Sequence, residues 1–326
     1  MPTASFILPT RNVEKNIRNL LESIFSQDIE YEIEVLIMDS SDDETPEIVK
    51  EYPVKLVRVE PEDYNYGGTR NLGATMTAGE FLVFLSTDVE IRDKKWLSKL
   101  LRNFEDPKVA GVYGRQIPKD NTTPMEKFFI LNTYPPKSHS LSLNSGQKLK
   151  RAFLFSNTNS AIRRSVWEKI KLPEMLKSED QEWAKRALIA GYKIVYDSEA
   201  IVYHSHNYTI KSVFQEYFDS GATMPYVYDK KVINYSMNDF LLDGIKYTLR
   251  EYSFMASNGY LSWIPYATIY DSFKFLGMFL GSKHRYMPLR LKKALCKKKN
   301  HWDKYDDIIS QESQQDVPSN ITILSL

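Results

Sequence analysis

Phe81-Leu82-Val83-Phe84-Leu85-Ser86-Thr87-Asp88 is the stretch on which the fold turns. An apolar run of strand length, followed at once by small polar residues and an acid, reads as a buried strand whose far end carries a carboxylate. Ile33 to Asp39 repeats the design, an apolar strand closed by an acid. Working outward, Ser5-Phe6-Ile7-Leu8-Pro9 reads as a first buried strand, and Ile17, Leu20, Leu21, Ile24 and Phe25 follow at helical spacing. Glu44 to Glu51 reads as a helix, Val54 to Val59 as a strand and Thr69 to Thr77 as a helix. Strands alternating with helices predict an α/β fold with a mostly parallel sheet flanked by helices. In such sheets, acids at the ends of neighbouring strands share the crevice where ligands bind.

Beyond Asp88 the pattern predicts a helix from Trp96 to Phe104, a strand from Val109 to Tyr113, and loops over a site from Lys119 to Lys150. Ala161 to Ile170 and Gln181 to Ala190 read as helices, Tyr192 to Tyr196 and Ala200 to Tyr203 as strands. From Lys211 the chain turns to helices rich in Tyr, Phe and Trp, ending in a polar tail after Ile309. The expected division is therefore a Rossmann-like unit over 1–210 and a C-terminal helical extension over 211–326.

The chain has 326 residues, 42% of them hydrophobic, enough for a substantial core. Its 43 Lys and Arg against 42 Asp and Glu leave a net charge of +1, so no global field argues for nucleic acid. A single cysteine, Cys296, rules out an intramolecular disulfide and fits a reducing compartment. Met1 to Ser5 lacks the pattern of a signal peptide, which gives a cytoplasmic expectation. The longest apolar stretch, Leu261 to Gly281, is interrupted by Pro265, Asp271 and Lys274, which argues against a membrane span and leaves peripheral contact open.

Several residues carry two readings. Asp39 suits a ribose or base contact, but Ser41, Asp42 and Asp43 also suit a turn that caps a helix at Thr45. Arg70, near a helix start, suits a diphosphate or a structural ion pair. Glu179 and Asp180 suit proton transfer or the favourable end of a helix dipole. Trp183 can stack on a sugar or fill the core. His204 and His206 alternate onto one face and suit a metal, a phosphate or a half-buried polar surface.

The order of these segments narrows the choice. Pro9-Thr10-Arg11-Asn12 after the first strand, Asp39, Gly67-Gly68-Thr69-Arg70-Asn71, Ser86-Thr87-Asp88 and Glu179-Asp180 together resemble the family 2 inverting glycosyltransferases over roughly residues 4 to 210. Tyr64-Asn65-Tyr66-Gly67-Gly68-Thr69-Arg70-Asn71 is most similar to a string found in bacterial rhamnosyltransferases. The family's Asp-x-Asp appears here as Ser86-Thr87-Asp88, and the acidic turn after Asp39 is one residue short.

The resemblance implies a GT-A fold and a nucleotide-diphospho-sugar donor held by Pro9, Thr10, Arg11, Asn12, Asp39, Gly68, Arg70, Asn71, Thr87 and Asp88. It implies a divalent cation, Mg²⁺ or Mn²⁺, on Asp88 with His204 and His206 as further ligands, the choice between the two imidazoles staying open. Asp180, beside Glu179, is implied as general base, and Trp183 as an acceptor contact. The implied reaction moves a sugar, by analogy L-rhamnose from dTDP-rhamnose, to a hydroxyl of a growing lipid-linked surface glycan, with a UDP-hexose as the other donor. A sugar nucleotidyltransferase is disfavoured because its Gly-rich loop follows the first strand. A non-catalytic sugar-nucleotide or glycan binding module has no need of both Asp88 and Asp180. Tyr260, Trp263, Tyr266, Tyr270, Phe273, Phe275, Phe279 and Tyr286 lie beside a basic run from Lys283 to Lys299. That composition suits an anionic membrane surface, with packing on the core or on a second subunit in a homodimer as the competing reading.

Overall fold

The computed structural model describes residues 3–143, 154–227 and 237–297, together with 299 and 302. Its strands are β1 (Ala4–Thr10), β2 (Ile33–Asp39), β3 (Lys55–Arg58), β4 (Phe81–Leu85), β5 (Val109–Ile117), β6 (His139–Leu141), β7 (Asn159–Arg163) and β8 (Lys193–Tyr203). The helices are α1 (Ile17–Phe25), α2 (Thr45–Val49), α3 (Tyr66–Thr75), α4 (Trp96–Leu101), α5 (Pro124–Thr133), α6 (Arg164–Trp167), α7 (Glu179–Ile189), α8 (Ile210–Val227), α9 (Met237–Ser257), α10 (Ile264–Ser282) and α11 (Leu289–Leu295).

All the strands form one sheet in the order β3-β2-β1-β4-β7-β5-β8-β6. The half containing β3, β2, β1 and β4 is parallel, as the alternating pattern predicts. β7 runs antiparallel between β4 and β5, β8 returns parallel to β5, and β6 closes the edge antiparallel. The apolar strand runs exist because the sheet is covered on both faces. Phe6 and Leu8 of β1, Val35 and Ile37 of β2, and Phe81, Val83 and Leu85 of β4 pack with α1 and α4 residues on one face. The intervening Ile7, Leu36, Met38, Leu82 and Phe84 join Trp183, Ala184 and Ala187 of α7 on the other.

Three local expectations are corrected. Ala161 to Ile170 is not one helix: residues 159–163 form β7, and only Arg164–Trp167 are helical. β4 and β5 offer this segment hydrogen-bonding edges on both sides, with Ala161 opposite Val83 and Val112, and pairing overrides local propensity. Lys119 to Lys150 is not simply loop. It contains α5, started by Pro124 and anchored by buried Met125, Phe128 and Ile130, and the short β6; residues 144–150 lie outside the described part. Tyr192–Tyr196 and Ala200–Tyr203 are one strand, β8, with a register shift where Gly114 pairs with Asp197 and Arg115 with Ile201. The polar tail after Ile309 also lies outside the described residues.

Candidate active site

The C-terminal ends of β1 and β2 meet first. Thr10 and Asp39 are register partners, and Thr10 Oγ1 donates to Asp39 Oδ1 at 2.8 Å. Asp39 also accepts from Ser41 Oγ at 2.6 Å, Ser41 N at 3.1 Å and Arg58 Nη1 at 3.1 Å. Four donors use up a carboxylate's acceptor sites, and Asp39 is buried. It therefore knits the two strand-end loops together. Asn12 is held at φ +52°, with its N–H on Ser41 Oγ and its Oδ1 accepting from Asp42 N. Pro9 is half-buried, and Arg11 is exposed. Arg58, half exposed at the end of β3, is a cation that sequence reading passed over.

The second group gathers around Asp88. A bridge between Glu90 and Tyr203 stitches the turn after β4 to the end of β8, with reciprocal bonds of 2.9 Å. This brings His204 Nε2 to 3.5 Å from Asp88 Oδ1 and His206 Nδ1 to 3.7 Å from Asp88 Oδ2. One ligand atom from each of the three residues lies within 4.8 Å of the others. His204 Nδ1 is 2.8 Å from Gln116 Oε1, and Gln116 Nε2 donates to Tyr134 Oη and Ser156 Oγ. With the amide so oriented, His204 Nδ1 carries a proton, and Nε2 is the ring nitrogen that faces Asp88. Burial by itself raises the Asp88 carboxyl, but the His204 hydrogen bond and the charges of His204 and His206 outweigh it and hold Asp88 down to about 2. Partial burial, then the neighbouring His204, lowers His206, which favours the neutral imidazole a metal requires. Thr87 is half exposed beside Asp88, and Lys119 Nζ donates to the Asp88 carbonyl at 2.7 Å.

Asp180 stands in the first turn of α7. Asn157 N donates to its Oδ2 at 3.0 Å, and the next residue, Thr158, bonds Ser86 through both backbone and side chain. One short loop thus connects the Asp180 carboxylate to the turn that carries Asp88. Burial and the neighbouring Glu179 charge push the Asp180 carboxyl up to about 7, against the pull of the Asn157 and Gln181 N–H groups and Arg70. Ser178, at the start of α7, sits at φ +66°, a left-handed geometry that is uncommon for serine.

Several expected site residues make contacts that hold the fold together. Glu179 and Arg70 form a buried ion pair at 2.6 Å, which ties α3 to α7. Gly68 N donates to Asn65 Oδ1 at 2.6 Å, closing the N-cap of α3. Asn71 Nδ2 donates to Leu172 O, while its Oδ1 accepts from Trp167 Nε1 and Leu172 N. Its amide is a staple between α3 and the 167–172 segment. Trp183 is fully buried, its indole N–H on Ile170 O and its ring against Phe155. A Cβ at Gly111 would stand 2.8 Å from it, so β5 makes room for this ring, and Trp183 cannot touch an acceptor. Gln116 was missed because it lies beyond the apolar run Val109 to Tyr113, and nothing in its local sequence marks it.

With this geometry in place, the family model described as Glycosyl transferase family 2 matches residues 5–171. The O-antigen chain rhamnosyltransferase RfbN of Salmonella typhimurium is 33% identical over 321 residues, 94% of this chain and 98% of that protein. The O-antigen chain rhamnosyltransferase WbaN of Salmonella anatum is 33% identical over 324 residues, 96% of this chain and 99% of that protein. Among solved structures, the mannosyltransferase PcManGT of Pyrobaculum calidifontis, in complex with GDP-Man and Mn²⁺, superposes with a TM-score of 0.52 at 17% identity, covering 96% of this chain and 88% of that one. TarS of S. aureus gives 0.51 at 21% identity, covering 96% and 92%. At such identities the two structures speak for the fold alone.

Proposed function

Since the chain belongs to glycosyl transferase family 2, we propose that it is an inverting rhamnosyltransferase that moves L-rhamnose from dTDP-rhamnose to a hydroxyl of a lipid-linked, growing surface glycan. The glycosyltransferase class follows from the family, and the rhamnosyltransferase relatives that match nearly the whole chain support the choice of sugar. The observation that carries the chemistry is Asp88 grouped with His204 and His206, one short loop away from Asp180.

The donor set fits a divalent cation. Asp88 supplies a permanent charge, His204 is already turned to offer Nε2, and His206, half exposed, leaves one side open to a ligand. Two imidazoles and one carboxylate suit Mn²⁺ better than Mg²⁺, which prefers oxygen ligands. When bound, the ion neutralises charge on the departing diphosphate. Lys119, beside Asp88, adds a fixed positive charge at the same place.

Asp180 takes the proton of the acceptor hydroxyl as that oxygen attacks the anomeric carbon on the face opposite the diphosphate. A carboxyl poised near 7 suits a general base at neutral pH. The loops built by Thr10, Asn12 and Asp39 form the nucleoside side of the crevice, with Arg11 and Arg58 at its mouth. Residues 1–210 supply the donor and catalytic unit, and 211–326 contribute acceptor-side contacts, at a membrane or between two copies.

The test is nucleoside diphosphate release across dTDP-, UDP- and GDP-sugars with Mn²⁺ or Mg²⁺, beside Asp88→Asn. The reading expects turnover of dTDP-rhamnose, stronger with Mn²⁺ and lost in the variant. Turnover of a UDP-hexose in its place would overturn the sugar while keeping the mechanism. Silence across the panel with no donor-induced thermal shift would overturn the mechanism too.

A further inference from the structure

α10 inverts the ordinary polarity of a surface helix. Its two charged residues, Asp271 and Lys274, are both buried, Lys274 Nζ donating to Tyr247 Oη at 3.0 Å. Its outward face presents Tyr266, Ile269, Phe273, Leu276 and Phe279, between 37% and 50% exposed, with only Thr268 and Ser272 as polar residues among them. Steps of three and four residues make this a continuous stripe.

The stripe cannot rotate inward. On the opposite side of the helix, a Cβ at Gly277 would stand 2.4 Å from Phe214 O, and one at Gly281 2.1 Å from Phe218 O. The two glycines therefore seat α10 directly on the backbone of α8 and fix which face looks out. α9 runs antiparallel beside it, with Tyr252 Oη 2.6 Å from Thr268 Oγ1 and Phe275 near Gly244. It carries Leu242, Ile245 and Leu249, each more than half exposed.

Charge flanks this apolar field. Lys246, Arg250, Lys283, Arg285 and Arg290 are exposed around it, and among the described residues from 242 to 297 the sole exposed acid is Asp243, paired with Lys246. A contiguous apolar patch of this kind marks an interaction site rather than an ordinary wet surface. In a symmetric dimer the patch would face itself, setting cation against cation. An anionic bilayer meets it with the opposite charge. No helix of the described residues is long and apolar enough to cross a membrane, so contact with a bilayer would be at its interface.

We propose that the outward stripe of α9 and α10, with its flanking cations, docks on the surface of an anionic lipid bilayer. The proposal adds a physical location to the lipid-linked acceptor suggested above. It is read by vesicle binding alone, so its failure is distinguishable from failure of the transferase reading.

The experiment is co-sedimentation of the full chain with vesicles of phosphatidylcholine alone, or of phosphatidylcholine and phosphatidylglycerol in equal parts, at low and high salt. Binding should require phosphatidylglycerol and weaken with salt. Ile269→Glu with Phe273→Glu should abolish it while the thermal midpoint and nucleoside diphosphate release stay unchanged. Lys283→Gln and Arg290→Gln should each weaken binding about fivefold; lying outside α9 and α10, they decide the matter if the glutamate variant fails to fold. Absence of phosphatidylglycerol-dependent binding, or binding indifferent to both sets of variants, would overturn the proposal. So would a lipid-free dimer by light scattering that Ile269→Glu with Phe273→Glu converts to monomer, since a second copy would then be the occupant.

Discussion

Gln116 Oε1 stands 2.8 Å from His204 Nδ1, and the same amide donates to Tyr134 and Ser156 from its nitrogen. Both ends of the glutamine are committed, so it fixes the imidazole's tautomer and its angle toward Asp88. Gln116→Leu keeps the volume and loses the orientation. Mn²⁺ affinity should fall roughly 10- to 100-fold, as it does when such supporting partners are removed. Titration calorimetry with Mn²⁺ alone reads this; an unchanged affinity would remove Gln116 as a positioning residue.

Asp180 should govern the acidic limb of the pH profile. With its carboxyl near 7, the deprotonated base accumulates as pH rises, so kcat/KM should climb through neutrality. Asp180→Asn should lower kcat by roughly 10²- to 10⁴-fold and flatten that limb. Glu179→Gln removes the like charge that raises Asp180 and leaves Arg70 to pull it down, so the limb should move to lower pH. A limb that stays in place would break the link between Glu179 and the base.

Arg70 and Glu179 are both about 7% exposed, and their 2.6 Å pair joins α3 to α7. Arg70→Met strands the Glu179 carboxylate in the interior, which should cost about 3–5 kcal/mol. Replacing both residues with apolar side chains should recover much of the loss, because the uncompensated charge is then gone. Denaturant unfolding of the single and double variants tests this, and equal losses in the two would show that the pair matters for packing rather than charge.

Glu251 of α9 should make stability fall with rising pH. Burial, followed by the adjacent Asp271, pushes its carboxyl from the ordinary 4.5 up to about 9. The folded state thus holds this proton more tightly than the unfolded chain. The stabilisation is complete below about 4.5 and is lost as pH climbs toward 9. Glu251→Gln, which stays neutral, should flatten the decline in thermal midpoint between neutrality and about pH 9. A decline of the same slope in the variant would assign the proton elsewhere.

Sequence alone determined what local periodicity and motif order can carry. The strands ending at Asp39 and Leu85, the helices of the first half and the family resemblance were legible because buried strands need unbroken apolar runs and turns need polar residues. The tertiary structure decided what depends on partners distant in the chain. β7 is a strand because β4 and β5 flank it, whatever its own residues prefer. Arg70 and Glu179, 109 residues apart, spend their charges on each other, and Trp183 vanishes into space left by Gly111. His204 is aimed by Gln116, 88 positions away, and neither residue's neighbours in sequence record the other. A side chain's chemistry is written in the sequence, but whether its charge or lone pair is free to act depends on which groups the fold places within about 3 Å of it.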